Sequence, residues 1–176
     1  MKKTISLLSI MVFVLVLTGT SIAQVTVDAS TDIVQDLTLT NNSDLSFGQI
    51  SNSQTADAIL DPQGNTTANV GGTTSLGEVQ ITAAPSSSIV ISFSSLNNLD
   101  DGNSNTIGFT ADYSGNTTNN AGGSTDLNTG SSNTVTTHGT SGEYFIYYGG
   151  TLAGGDIDGT PTGTYDGTIT TTVNYE

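Results

Sequence analysis

A long alternation of apolar and polar residues runs through residues 24–40, QVTVDASTDIVQDLTLT. Six of its apolar residues fall on odd positions: Val25, Val27, Ala29, Ile33, Leu37 and Leu39. A period of two places them on one face of an extended strand. Because a strand usually has about 3–10 residues, this stretch is longer than one strand of a small domain needs. We predict that residues 33–39 form the first strand of the domain, and that residues 24–30 are a surplus strand.

Short apolar segments separated by turn-forming residues continue along the chain. Those that we predict to be strands are residues 45–50, 56–61, 78–84, 88–94, 107–113, 143–148 and 163–175. Clusters rich in Gly, Asn and Asp, such as DPQGN and NNLDDGNSN, lie between them. No segment has the apolar spacing of a convincing helix. Many short strands joined by such turns indicate an all-β sandwich or barrel.

The last of these segments has one face suited to a core. Tyr165, Ile169, Val173 and Tyr175 alternate with polar residues, which predicts a long C-terminal strand with one face buried and the other in water. Residues 114–134, in contrast, contain a single strong apolar residue, Leu127. This composition predicts a long polar loop.

The first residues have the three parts of a secretory signal. Lys2 and Lys3 precede an apolar run at residues 7–17, and the small-residue sequence Ser21-Ile22-Ala23 follows it. The apolar run is shorter than the roughly 20 residues of a membrane-spanning helix. We therefore expect residues 1–23 to be a signal peptide, residues 24–176 to be one domain, and the protein to be secreted or displayed on a cell surface.

The charge of the chain limits the kinds of partner that it can bind. Lys2 and Lys3 are the only 2 Lys or Arg residues, whereas all 16 Asp and Glu residues come after residue 23. The mature chain then has almost nothing to neutralise nucleic-acid phosphates or anionic lipid headgroups. It has no Cys, which excludes disulfides and thiol chemistry. Any assembly must rest on backbone pairing and apolar burial, with salt screening the like charges.

Candidates for enzyme chemistry are few. His138 is close in sequence to Ser141 and Glu143, but their segment, THGTSGEY, lacks the strand–turn–helix context of a nucleophile elbow. The carboxylates are scattered, and no Arg or Lys is present in the domain to tune them. The sequence predicts that the protein is not an enzyme, and it indicates no cofactor other than calcium.

A calcium site is the one metal site that the sequence suggests. In DDGNSNTIGFTAD, Asp101, Asn103, Asn105 and Asp112 stand at the first, third, fifth and twelfth positions of a calcium-loop pattern. The sixth position is Thr106 instead of Gly, and Asp, Asn and Gly also form ordinary turns.

The aromatic segment YFIYYGG has two interpretations as well. Aromatic faces bind sugars, but this alternation is also that of a strand with one face in the core.

Several ordered motifs resemble a bacterial secreted family, domain-of-unknown-function family 4402. They are Phe47-Gly48, Gly149-Gly150-Thr151-Leu152, Gly163-Thr164-Tyr165 and Val173-Asn174-Tyr175. The segments DLSFGQI, DPQGN and AAPSSSIVISF follow the same layout, so the resemblance covers nearly all of residues 24–176. It implies an immunoglobulin-like antiparallel β-sandwich, similar to pilin or fimbrial subunits.

In chaperone–usher pilins the sandwich lacks one strand, and the N-terminal segment of the next subunit fills the groove. The resemblance thus implies a structural subunit in which Val25, Val27 and Ala29 enter a groove beside the last strand of another copy. The implied partners are further copies, a periplasmic chaperone and an outer-membrane assembly protein. Two alternatives stay open. The N-terminal segment folds back on its own sheet or frays, or the protein is a monomeric binding module with carbohydrate or calcium sites in its loops.

Overall fold

The computed structural model describes residues 27–31 and 33–176. The chain forms two compact units, Met1–Ile33 and Val34–Glu176. In the first unit, the described residues have no regular secondary structure, and the predicted signal peptide lies outside the described residues. Within the described ranges, no helix has the length and apolar character that crossing a membrane requires.

The strands of the Val34–Glu176 unit are short and follow one another closely. They are β1 (Thr38–Ser43), β2 (Ala58–Leu60), β3 (Thr67–Ala68), β4 (Gly77–Thr82), β5 (Ser88–Phe93), β6 (Asn98–Asp100), β7 (Thr106–Asn116), β8 (Thr125–Leu127), β9 (Asn133–Thr136), β10 (Glu143–Leu152) and β11 (Thr171–Tyr175). A 3₁₀ turn covers Ala121–Gly123, and a single helical turn, α1, covers Gly154–Ile157.

These strands build two sheets in which all strand pairs are antiparallel. In the larger sheet β10 is central, because it pairs with β4 and β2 and also with β7. β1 extends this sheet beyond β4, β3 extends it beyond β2, and β6 and β8 pair with β7. The smaller sheet has the order β11-β5-β9. The all-β sandwich predicted from the sequence is confirmed.

The core fills the space between the sheets, where alternation places the large apolar residues. Ile81 of β4 and Ile146 of β10 pack in one cluster with Ile89 and Ile91 of β5, and all four are fully buried. Tyr113 of β7 stacks on Phe93 with the ring centroids 3.9 Å apart. A second buried cluster consists of Phe47, Ala58, Leu60, Ile107, Phe109, Leu152 and Ile157. Both sheets therefore contribute an apolar inner face to one sandwich.

The strands with the strongest alternation lie close to where the sequence predicted them. β4, β5, β7 and β10 overlap the predicted strands at 78–84, 88–94, 107–113 and 143–148. β1 differs, because it covers Thr38–Ser43 instead of residues 33–39. Its limits are set by its partner, since Thr38 lies opposite Thr82 and Ser43 lies opposite Glu78. The ladder thus extends into polar residues that alternation alone does not mark as a strand.

Three further segments differ from the predictions. Residues 45–50 form only isolated bridges, such as Ser46 with Ser75, instead of a strand. Residues 114–134, predicted to be one polar loop, contain the end of β7, the 3₁₀ turn and all of β8, with Leu127 buried as its anchor. The short helix α1 arises where the sequence indicated none, and Asp57 accepts a hydrogen bond from the Gly154 N–H at its start (2.9 Å).

Candidate functional site

The first and last strands of the domain lie at neighbouring edges of the two sheets. β1 is an edge of the larger sheet, since it pairs with β4 alone, and β11 is an edge of the smaller sheet, since it pairs with β5 alone. Residues of β1 and of the chain leading into β11 line the same groove. The outer side of β11 presents backbone groups that no strand in the described residues satisfies, which is a template for pairing with another strand.

The order of pairing explains why the sandwich is open at this side. An immunoglobulin sandwich has strands A-B-E-D in one sheet and C-F-G in the other. In chain order, β1, β4, β5, β7, β10 and β11 take positions A to F, because the larger sheet contains β1-β4-β10-β7 and the smaller sheet contains β11-β5. In the part of the chain that the structure describes, no strand occupies position G beside β11. Among the described residues, the smaller sheet therefore ends at β11 on this side.

A groove of about 750 Å³ lies at this open side. Its large apolar lining residues are Leu39, Leu45, Phe47, Val79, Leu96, Leu99, Phe109, Tyr148, Tyr165 and Ile169. Its polar lining residues are Asn41, Ser43, Asp44, Asp166, Thr168, Thr170 and Thr171. An added strand needs this combination, because backbone hydrogen bonds along an edge give affinity while alternate side chains enter apolar pockets.

The inner face of strand β1 is exposed on this side of the sandwich. Leu39 is 42% exposed, whereas its partner in the ladder, Ile81, is 0% exposed. Ile81 packs in one cluster with Ile89 and Ile91 of the smaller sheet. The smaller sheet covers β4 in this way but does not extend over β1, so the inner face of β1 is left open to solvent.

Tyr148 of β10 forms the back of the groove. Its hydroxyl hydrogen-bonds with the Thr171 hydroxyl at the start of β11, and its ring meets those of Phe93 and Tyr113 edge-on, with centroids 6.0 and 5.4 Å apart. Burial raises the pKa of Tyr148 to about 12. A Cβ atom added to Gly77 would lie 2.9 Å from the Tyr148 Cβ, so glycine is needed beside this ring. These contacts of Tyr148 join the two sheets firmly, so the groove has a fixed wall at this point.

Tyr175 fixes the place where the chain enters the sandwich. Its hydroxyl donates a hydrogen bond to the Gln35 carbonyl (2.7 Å) and accepts one from the Ala84 N–H (2.8 Å). Leu37, which follows Gln35, is half-buried against the core. The residues that precede β1 are therefore held beside the C-terminal end of β11.

The four C-terminal residues predicted to share a buried face are all half-buried. Val173 and Tyr175 lie on β11 and pack against the main core cluster. Tyr165 and Ile169 were predicted to belong to the same long strand, but β11 begins only at Thr171. They line the groove instead. Alternation thus identified the inward-facing residues without revealing that half of them face an open groove.

The residues predicted to join copies precede the domain, in the segment that we call the tail (residues 24–33). Val25 lies outside the described residues, Val27 is 85% exposed, and Ala29 is exposed and not in a strand. Among the described residues, the exposed large apolar side chains are Val27, Ile33, Val34 and Leu39. Exposed apolar residues are normally scattered over a protein, but the large ones among the described residues here all lie between residues 27 and 39.

The residues of the predicted calcium site are only partly brought together. Asp101, Asn103 and Asn105 share the turn between β6 and β7, where the Asp101 carboxylate accepts hydrogen bonds from both asparagine N–H groups and from the Asn105 side chain. The Asn105 side-chain bond is the main cause that lowers the pKa of Asp101. Asp112 lies six residues beyond Thr106 along β7, about 20 Å away at 3.3 Å per residue. In the described ranges, no group of three or more acidic, His or Cys side chains is placed to hold a metal.

The side-chain contacts of His138 are with residues of its own turn. Its Nδ1 atom accepts hydrogen bonds from the Thr140 N–H (3.3 Å) and the Ser141 N–H (3.2 Å). The Ser141 hydroxyl lies 3.2 Å from the same nitrogen and also accepts a bond from the Glu143 N–H (3.4 Å). These contacts fix the turn that leads into β10.

The chain belongs to the family described as a domain of unknown function, DUF4402, whose model matches residues 37–175. The match covers the sandwich from just before β1 to the end of β11. It confirms the family predicted from the motifs. No curated protein matches the chain.

Proposed function

We propose that the protein is a secreted or cell-surface structural subunit whose copies join by β-strand addition into a fimbria-like or coat-like polymer. The tail of one copy, with Val25, Val27 and Ala29 on its apolar face, fills the groove of the next copy and takes position G beside β11. Two observations carry this proposal: the apolar groove between β1 and the chain that leads into β11, and the outer edge of β11, which no strand in the described residues pairs. The exposed apolar residues of the tail and of β1 support it.

Apolar burial and backbone pairing supply the free energy of this association. Full burial of one valine side chain contributes about 1.5–3 kcal/mol, and backbone bonds to β11 add to it. The acidic residues of the tail, Asp28 and Asp32, fall on the even positions. They therefore stay on the outer face, in water, when the odd face enters the groove. The remaining repulsion between acidic copies is long-range and is screened by salt.

An open groove also accounts for the proposed partners. An exposed apolar cleft beside a free strand edge is prone to unwanted pairing. A subunit of this kind needs a protein that covers the groove before assembly and a site where assembly occurs. A periplasmic chaperone and an outer-membrane assembly protein would meet these needs in an exported pilin-like subunit.

Deleting residues 24–30 tests the proposal. We expect the mature chain to form regular fibres in electron microscopy and large species in light scattering, while the deleted chain stays monomeric with an unchanged unfolding midpoint. Fibres that persist after the deletion would contradict the proposal. So would a mature chain that stays monomeric at every concentration.

A matched pair of substitutions separates the two faces of the tail. Val27→Asp and Ser30→Asp introduce the same charge at two exposed positions outside any strand. Alternation places the first on the apolar face and the second on the polar face. We expect Val27→Asp to abolish polymers and Ser30→Asp to reduce them only slightly, as measured by light scattering. Equal effects of the two substitutions would mean that charge alone controls assembly.

A further inference from the structure

We infer that Glu78 is the residue that positions the β1 wall of the groove, and that the loop at residues 117–120 takes part in this through the same carboxylate. The inference rests on the proposed function, because it concerns how firmly the groove holds an added strand. Its starting point is one atom, Oε1 of Glu78, which accepts hydrogen bonds from the side chains of Asn42 (2.8 Å) and Asn119 (2.9 Å). Asn42 belongs to β1, and Asn119 belongs to the loop between β7 and the 3₁₀ turn.

Asn42 lies at an irregularity of β1. In the β1–β4 ladder, Asn41 and Ser43 lie opposite consecutive residues of β4, so Asn42 between them is an extra residue without a partner. A bulge of this kind bends its strand and re-aims the side chains next to it. Asn41, Ser43 and the following Asp44 all line the groove. The position of the bulge therefore decides where this part of the groove wall lies.

The other side-chain bonds of the bulge hold it less firmly to the rest of the domain. Asn41 donates a hydrogen bond to the Asp44 carboxylate (2.7 Å), but both residues belong to the same part of the wall. The Ser43 hydroxyl donates to the Leu76 carbonyl (2.9 Å), a neutral acceptor. The bond from Asn42 differs, because it ends on a charged carboxylate inside β4, and hydrogen bonds to ionised groups are roughly twice as strong as neutral ones.

The loop holds the same carboxylate from the other side. The Asn119 side-chain oxygen accepts a hydrogen bond from the Tyr147 hydroxyl (3.1 Å), and Tyr147 is buried and lies opposite Glu78 in the β10–β4 ladder. Burial, and after it the charge of Glu78, raises the pKa of Tyr147. A buried tyrosine thus fixes Asn119, and Asn119 fixes the oxygen that Asn42 uses. Hydrogen bonds linked in this way support one another, so loss of one loosens the next.

Binding of a peptide of residues 24–33 to the tail-deleted chain tests the role of Glu78. We expect Glu78→Ala to weaken the affinity roughly fivefold to tenfold, the equivalent of about one hydrogen bond, as measured by calorimetry. Glu78→Gln keeps an oxygen acceptor and should restore part of the affinity. The matched control is Glu143→Ala, because half-buried Glu143 accepts a hydrogen bond from Gln80 (2.8 Å) that joins β4 to β10 and leaves β1 out. Equal losses from the two alanine variants would overturn the inference.

Hydrogen exchange of the peptide-free chain tests the same role without depending on binding. Glu78→Ala and Asn119→Ala should both speed exchange of the amides of Thr38–Ser43, and Glu143→Ala should not. Since Asn119 acts through Glu78, Asn119→Ala should add nothing in a chain that already carries Glu78→Ala. Additive effects would remove the loop from the inference, and unchanged exchange in Glu78→Ala would overturn it altogether. A tail-deleted chain that binds no peptide, yet shows these exchange effects, would contradict the proposed function and leave the role of Glu78 standing.

Discussion

Strands β1 and β10 pair with opposite edges of the same strand, β4, yet their surroundings differ completely. Nearly every residue of β10, EYFIYYGGTL, is buried, whereas every residue of β1, TLTNNS, is exposed except the half-buried Ser43. β10 lies between β4 and β7 and faces the core formed with β5. β1 has a neighbour on one side only, and the smaller sheet does not reach over it.

The comparison shows that the open side is a property of the pairing order and not of local weakness in β1. β1 forms five ladder pairs with β4, and its one large apolar residue, Leu39, points into the groove. In the proposed assembly, the added strand beside β11 would cover Leu39 in the way that β5 covers Ile81.

The largest expected effect is a difference in stability between two alanine variants, at Ile81 and at Leu39, which are paired in the β1–β4 ladder. Ile81→Ala creates a cavity in a fully buried site and should lower the free energy of unfolding by about 2–5 kcal/mol. Leu39→Ala, at a 42% exposed position, should lower that of the monomer by less than about 1 kcal/mol. Urea unfolding of the tail-deleted chain measures both. Similar losses would mean that β1 is covered in solution.

The second prediction concerns two buried tyrosines of β10 at high pH. Burial raises the pKa of both Tyr144 and Tyr148 to about 12, above the usual 10.0. Since the folded state then holds these protons more tightly than the unfolded chain, its stability is complete below pH 10 and falls as the pH rises through 12. Urea unfolding between pH 8 and 12 should show this loss. Tyr148→Phe should reduce the loss, because it removes one of the two groups with a raised pKa.

A smaller effect is expected at the point where the chain enters the sandwich. Tyr175→Phe removes the hydrogen bonds to Gln35 and Ala84, and should lower the free energy of unfolding by about 1–2 kcal/mol. The control is Tyr165→Phe, whose hydroxyl bonds with Pro161 and Thr160 at the surface. Thermal unfolding compares the two. Hydrogen exchange at residues 35–37 should rise only in the first variant, and an unchanged rate there would contradict the role given to Tyr175.

The smallest effect on stability is expected at the β6–β7 turn, which belongs to neither of the two strands compared above. Hydrogen bonds from Asn105 and Asn103 lower the pKa of Asp101 below 3.8. The ionised carboxylate therefore stabilises the turn above that pH, and its contribution disappears as the pH falls through the lowered value. Asp101→Asn should cause a slight loss of stability at pH 7 that vanishes near pH 2. A loss of equal size at both pH values would show that charge has no part in it.

Alternation predicted much of this fold because β4, β5 and β7 place large apolar residues on a face that meets the core, while β10 is buried on both faces. It placed β1 too early, because the apolar alternation of residues 33–39 ends where a ladder of polar residues begins. It made the last strand too long, because Tyr165 and Ile169 face inward without a ladder on β5. The groove itself depends on which strands become neighbours, and this information lies in no local segment.

Hydrogen exchange at β11 tests the central claim most directly. The tail-deleted chain is compared with and without a peptide of residues 24–33, while the exchange of the amides of Thr171–Tyr175 is followed. If a strand is missing beside β11, the peptide should slow exchange there, and the same peptide with Val27→Asp should not. Slow exchange of all these amides without peptide, and no change when the peptide is added, would show that this edge is already paired.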